Sequence, residues 1–192
     1  MDELVRLVLV RHGETVGQSS IRYHGITDVV LSGRGRAQAE QARLALAGES
    51  FEHLVASPLS RAWQTATVLF PRQRIDLEQD FREVDFGRWE GLTGDEIARR
   101  DPALHAEWQR TPGQFDYPGG EGRRHFRRRI AAGLERLFGT GAPSALVVAH
   151  KGVIRVLAGL LTGEELPVGE PPLGAVLRFE RRPGSAWRPE GA

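Results

Sequence analysis

Apolar and polar positions fall along this chain in short blocks whose period changes from strand-like to helix-like and back. Leu4-Val5-Arg6-Leu7-Val8-Leu9-Val10 is an apolar run with β-branched side chains, the length of one buried strand. Ser32-Gly33 to Ala47 reads as a helix, with a capping serine, frequent alanine and Gly48 as its stop. Leu54-Val55-Ala56 predicts a second strand, and Ser57-Pro58 opens a helix to about Leu69 with proline in its first turn. Arg74-Ile75-Asp76-Leu77 predicts a third strand. From Glu121 to Phe138, Phe126, Ile130, Leu134 and Leu137 recur at helical spacing. Ala145–Ala149 is a strand, Val153–Leu161 a helix and Leu173–Glu180 a last strand. Strands alternating with helices predict an α/β fold. Residues 86–122 are less regular, with two Pro-Gly dipeptides and a helix start at Asp101-Pro102. They read as an insertion of one or two short helices over one end of the sheet. Residues 1–180 read as one domain and 181–192 as a loose tail.

Chemistry-bearing residues follow the predicted strands. Arg11-His12-Gly13-Glu14-Thr15 comes directly after the first. In an open α/β sheet, ligands gather at the carboxyl ends of the strands. An imidazole there can act as a nucleophile, and a neighbouring guanidinium can grip a phosphate with two parallel hydrogen bonds. Taken alone, the segment reads equally well as a turn carrying a surface histidine. Three more blocks follow: Ser57-Pro58-Leu59-Ser60-Arg61-Ala62, Arg82-Glu83-Val84-Asp85-Phe86-Gly87-Arg88-Trp89-Glu90-Gly91, and Ala149-His150-Lys151-Gly152.

These four ordered blocks, from about Leu4 to about Phe179, resemble the histidine phosphatase superfamily, also called the phosphoglycerate-mutase-like family. The resemblance implies a three-layer αβα sandwich with a mostly parallel central sheet. It implies His12 as nucleophile through a phosphohistidine, with Arg11, Arg61 and His150 as charges around the phosphoryl group, His150 acting best when protonated near phosphate. Concentrated positive charge at a transferring phosphoryl group is electrostatic stabilisation of the transition state. Glu83, in a block matching the family's RE…DFG.WEG pattern, is the candidate acid for the leaving group, and its carboxylate would then activate water. A surface ion pair with Arg82 or Arg88 is the alternative for Glu83, and Asp85 is a weaker competitor for its role. Glu14 is expected to position its neighbours. Thr15, Gln18, Arg22 and Lys151 are candidate substrate contacts.

The chain departs from the family pattern in three places. Gln18 stands where many members carry asparagine. Gly122 replaces the serine of a PGGES element within Tyr117-Pro118-Gly119-Gly120-Glu121-Gly122, and Lys151 interrupts a common HGG. These departures bear on the substrate rather than the reaction.

Composition narrows the classes. With 192 residues, 40% hydrophobic and 27% charged, the chain has the make-up of a globular domain with a substantial core. A net charge of +1 creates no field for nucleic acid or membrane. The run Arg123, Arg124, Arg127, Arg128 and Arg129 therefore reads as a solvated helix face, though an early arginine could rim the pocket. Without cysteine there is no disulfide, thiolate metal site or cysteine nucleophile. His24, His53, His105 and His125 match none of the blocks, and no pair has metal-ligand spacing on a helix, so no metal and no cofactor are expected. Met1-Asp2-Glu3 lacks the positive start of a signal peptide, and no apolar stretch approaches a membrane span, which predicts a cytoplasmic location. The expected partner is a small phosphate ester, with a homodimer left open. Of 26 basic side chains only Lys151 is lysine. Glu83 and His150 lie 67 positions apart, a shorter span than family mutases usually carry. That favours a phosphomonoesterase, with a cofactor-dependent phosphoglycerate mutase or a non-catalytic phosphoester-binding module as alternatives.

Overall fold

The structure, a computed structural model, describes residues 4–111, 114–167, 169–182 and 184–191. The readings placed on Met1, Asp2 and Glu3, and on the dipeptide Pro112-Gly113, lie outside them. In chain order the elements are β1 (Arg6–Arg11), α1 (Gly33–Ala45), β2 (His53–Ala56), α2 (Ser60–Leu69) and β3 (Asp76–Leu77). Two single-turn 3-10 helices follow, Gln79–Phe81 and Gly87–Trp89, then α3 (Gly94–Arg100), α4 (Pro102–Arg110) and α5 (Arg123–Phe138). The chain closes with β4 (Ser144–Ala149), α6 (Lys151–Thr162), β5 (Val176–Glu180) and β6 (Arg188–Pro189).

The six strands form one sheet in the order β3-β2-β4-β1-β5-β6. The first four run parallel, while β5 pairs antiparallel with both β1 and β6. Side chains alternate across the pleat. Leu7 and Leu9 of β1 enter one core with Val147 of β4, Phe126 and Ile130 of α5, and Ile154 and Leu157 of α6. Val8 and Val10 enter the other, with Ala42 of α1 and Ala62, Ala66 and Leu69 of α2. Both faces of β1 are thus covered, which is why its sequence is apolar almost without interruption. The result is the expected three-layer αβα sandwich.

The ends of elements differ from the sequence pattern in two instructive places. Ser32 caps α1 as expected, its Oγ accepting from Gly35 N–H at 3.0 Å. Pro58, however, precedes α2, which starts at Ser60. The orphan N–H of Ser60 donates instead to the Asp28 carboxylate at 2.7 Å, a cap supplied from a distant loop. The segment after Glu180, expected as a loose tail, carries β6 in register with β5. Its Trp187 is buried and stacks on Phe138 of α5 at 6.1 Å and 13°, with Arg181 over both rings. One large aromatic ring outweighs the proline, glycine and arginine around it. Among the described residues, no helix is long and apolar enough to cross a membrane.

Candidate active site

Strand order creates the site. Arg11 sits opposite Ala149 at the carboxyl ends of β1 and β4, so residues 12 and 150 leave the sheet side by side. The chain leaves β1 toward β2 on one flank and leaves β4 toward β5 on the other, which opens a crevice between them. The rings of His12 and His150 lie there with centroids 5.1 Å apart. Ser57 arrives from β2, its N–H bonded to Val148 O at 3.0 Å.

His12 is held as a neutral ring. Its Nδ1 lies 2.7 Å from Gly13 O. A carbonyl only accepts, so Nδ1 carries the proton and Nε2 keeps its lone pair. Burial pushes the His12 pKa well below its ordinary value, with the positive fields of Arg61 and Arg11 adding to it. Tight backbone packing fixes this geometry. A Cβ on Gly13 would stand 2.3 Å from Gly35 O, and one on Gly35 would stand 1.9 Å from Glu14 O. The two glycines let the first turn of α1 lie directly against the backbone beside His12.

Two arginines flank the ring. Arg11 donates through NH1 to Pro171 O at 2.7 Å, while its Nε is buried without a hydrogen-bond partner among the described residues. A buried, unpaired guanidinium N–H is costly unless an anion meets it. Burial lowers the Arg11 pKa to about 10, which still leaves it charged at neutral pH. Arg61 is fully buried. Its N–H groups reach Thr27 O (2.9 Å), His24 O (3.0 Å), Gly25 O (2.6 Å) and His150 Nδ1 (3.2 Å). A guanidinium has five N–H donors. One therefore stays free to meet an anion, three fix the loop that wraps the site, and the fourth holds His150.

His150 is held through both ring nitrogens. Arg61 Nε can only donate, so Nδ1 of His150 accepts and the proton sits on Nε2, 2.8 Å from Ser57 Oγ. Both nitrogens are engaged, and burial, reinforced by Arg61, holds the pKa well below its ordinary value. The ring is neutral in this hydrogen-bonding arrangement, whereas the protonated contact is expected beside a phosphate. A dianionic phosphate beside it would work in the opposite direction.

Glu83 is buried at the amino end of α6. Its Oε2 accepts from Gly152 N–H and its Oε1 from Val84 N–H, both at 3.0 Å. It is paired with neither Arg82 nor Arg88. Asp85, the competitor, closes a local turn by accepting from Gly87 N–H at 2.7 Å.

The expected substrate contacts divide. Lys151 begins α6 beside His150. Arg22 is tied to Gly91 O (2.7 Å) and to the Glu96 carboxylate (2.9 Å) at the start of α3, and Thr15 Oγ1 pairs with Ser19 Oγ at 2.7 Å. Gln18 is exposed in the left-handed region at φ 61°. Asparagine is tolerated there better than glutamine, a backbone reason for the residue that the pattern led one to expect. Glu14 ties its own turn together, accepting from Thr15 and Ser20 N–H.

Several residues in or around the site were not singled out. Ser57 orients His150. Glu90 accepts from Gly25, Ile26 and Thr27 N–H, clamping the loop whose carbonyls hold Arg61. Arg129 forms a two-bond pair with Glu121 and donates to the carbonyls of Asp80, Arg82 and Glu83. Each acts on groups distant in sequence, which residue type and local spacing do not reveal.

Comparison with known proteins agrees with this architecture. The pattern of the histidine phosphatase superfamily (branch 1) matches residues 7–176, and the chain belongs to that family. It is 34% identical over 164 residues to 2-carboxy-D-arabinitol-1-phosphatase of Triticum aestivum, covering 84% of this chain but only 33% of that one. It is 30% identical over 162 residues to adenosylcobalamin/alpha-ribazole phosphatase of Escherichia coli, covering 83% of this chain and 80% of that one. The structure of a mycobacterial glucosyl-3-phosphoglycerate phosphatase superposes with a TM-score of 0.83 at 27% identity, covering 97% of both chains.

Proposed function

We propose that this protein is a metal-independent phosphomonoesterase that hydrolyses a small phosphorylated metabolite through a phosphohistidine on His12. The observation that carries the reading is the His12 ring. Its Nδ1 is fixed by Gly13 O, its Nε2 keeps a lone pair, and the buried unpaired Nε of Arg11 stands on the preceding residue. His12 Nε2 attacks phosphorus and the ester P–O bond breaks. The leaving oxygen takes a proton from the Glu83 carboxyl. Arg11 and Arg61 balance charge on the equatorial oxygens, the role a metal ion plays in other phosphoryl-transfer sites. In the second half, the Glu83 carboxylate takes a proton from water as its oxygen attacks phosphorus. The P–N bond breaks, releasing inorganic phosphate, and Glu83 is ready for the next ester.

The names of the relatives support the reaction class, since each denotes a phosphatase and their alcohols differ. The test is hydrolysis of p-nitrophenyl phosphate with EDTA present, wild type beside His12→Ala. Metal-free turnover in the wild type and none in a folded His12→Ala is the expected result. Turnover retained by His12→Ala overturns the assignment of the nucleophile. A folded wild type that releases no phosphate but transfers it between phosphoglycerate isomers overturns hydrolysis in favour of a mutase.

A further inference from the structure

The mouth of the site holds three cations, Arg11, Arg155 and Lys151, and the described residues partner only two of them. Residues 165–167 and 169–171 run past this mouth. Their carbonyls take Arg155, through Pro167 O at 2.6 Å and Glu170 O at 3.3 Å, and Arg11, through Pro171 O at 2.7 Å. Glu165 adds an ion pair to Arg155 at 3.8 Å. Lys151 lies within electrostatic reach of both. It is the first residue of α6, it follows His150, and it precedes the N–H that holds Glu83. Its ammonium has no hydrogen-bond or ion-pair partner among the described residues. It is also half-buried, so water does not replace the missing partner fully.

Resting on the phosphomonoesterase reading, we propose that Lys151 selects esters whose leaving group bears a second anionic group, a carboxylate or a second phosphate, a few bonds from the ester oxygen. Direction comes from Glu83. The group that protonates the leaving oxygen is bonded to the backbone of residue 152, so the leaving alcohol emerges beside Lys151. A compact ammonium on a flexible stem suits an anion whose position varies between substrates, where a planar guanidinium would demand one geometry. Burial and the neighbouring arginines press the ammonium toward its neutral form, while Glu83 and Glu170 oppose them. An arriving anion would relieve that pressure.

Three esters of one chain length test this: propyl phosphate, 3-phosphonooxypropanoate and propane-1,3-diyl bisphosphate. In the wild type, kcat/KM for at least one charged ester should exceed that for propyl phosphate by about tenfold or more, the value of a charge-assisted hydrogen bond in a partly dry site. Preference for the carboxylate alone or the bisphosphate alone identifies the second anion, and either supports the proposal. In Lys151→Met the ratio should fall to near one. Lys151→Arg should keep most of it, and Lys151→Glu should reverse it. Each ratio is internal to its variant, so a general loss of activity leaves it readable. Acetylation of the folded wild type, which meets no other lysine, should collapse the ratio in the same way. Equal kcat/KM for charged and neutral esters in the wild type overturns the inference and leaves hydrolysis standing. A ratio that survives Lys151→Met and acetylation does the same. A wild type that hydrolyses none of the three, nor p-nitrophenyl phosphate, overturns both readings.

Discussion

At position 152 a single methyl group decides whether Glu83 can occupy its place. A Cβ there would stand 2.4 Å from Glu83 Oε1 and 3.2 Å from the Phe126 ring. The carboxyl would have to move or the helix start would have to shift, because Phe126 is buried and cannot retreat. Gly152→Ala should therefore act on chemistry more than on folding. Overpacking of this kind costs about 1–3 kcal/mol of stability. The effect on turnover should depend on the ester. An alkyl phosphate needs a proton on its departing oxygen, and its kcat should fall by about tenfold or more. A nitrophenyl phosphate needs it far less and should lose correspondingly little. Comparing kcat on both esters, with Glu83→Gln as reference, checks this. Equal losses on the two esters would show that Glu83 does not protonate the leaving group.

The turn carrying Glu83 owes its shape to α5. Arg129 of that helix holds the carbonyls of Asp80, Arg82 and Glu83 and closes on Glu121, both side chains being nearly buried. Burial works to raise the Glu121 pKa, and Arg129 outweighs it, holding the carboxyl below its ordinary range. Arg129→Met should leave the His125 ring, 2.6 Å away, as that carboxylate's remaining side-chain partner and cost about 2 kcal/mol, or roughly 6 °C in Tm for a chain of this size. Turnover should drop as well, since the turn loosens. The double variant with Glu121→Gln should recover part of the stability, which thermal unfolding of the three variants would show. An unchanged Tm in Arg129→Met would mean that other contacts hold the turn. This network also marks the limit of what the sequence discloses. Apolar runs and apolar period placed β1, α5 and α6 within a few residues, and a capping serine with frequent alanine placed α1. His12, Arg11, Arg61, Glu83 and His150 were visible because each follows an element of the sheet layer in a recognisable block. Asp28, Glu90 and Arg129 act through backbone atoms distant in sequence, Ser57 through the His150 ring 93 positions away, and Trp187 through one ring 49 positions from its partner Phe138. Only the assembled fold brings such pairs together.

Over the whole molecule, the site leaves its mark on stability as a function of pH. His12 and His150 are both buried and neutral, their native pKa values well below 6.5. In the unfolded chain the same rings take protons near their ordinary value of about 6.5. As pH falls below that value, the unfolded state binds protons that the native state refuses, so stability declines. The contribution is fully present above 6.5 and is lost as pH drops toward the native values. Each such histidine gives a slope of about 1.4 kcal/mol per pH unit, and the pair about 2.7. Depressed carboxyls such as Glu121 and Glu78 add their own loss only near and below their ordinary value of 4.5. The interval between about 5 and 6 therefore isolates the two rings. Urea unfolding at pH 6 and pH 5 should show the wild type losing about 2–3 kcal/mol and His12→Ala losing about half as much. The arginine fields that depress both rings are also the charges placed to meet a phosphoryl group. A bound dianion opposes those fields, so saturating inorganic phosphate should flatten the wild-type slope while raising stability at both pH values. A wild-type slope that is flat without phosphate would mean that the rings protonate in the native state, and with it would fall the neutral His12 on which the nucleophilic step depends.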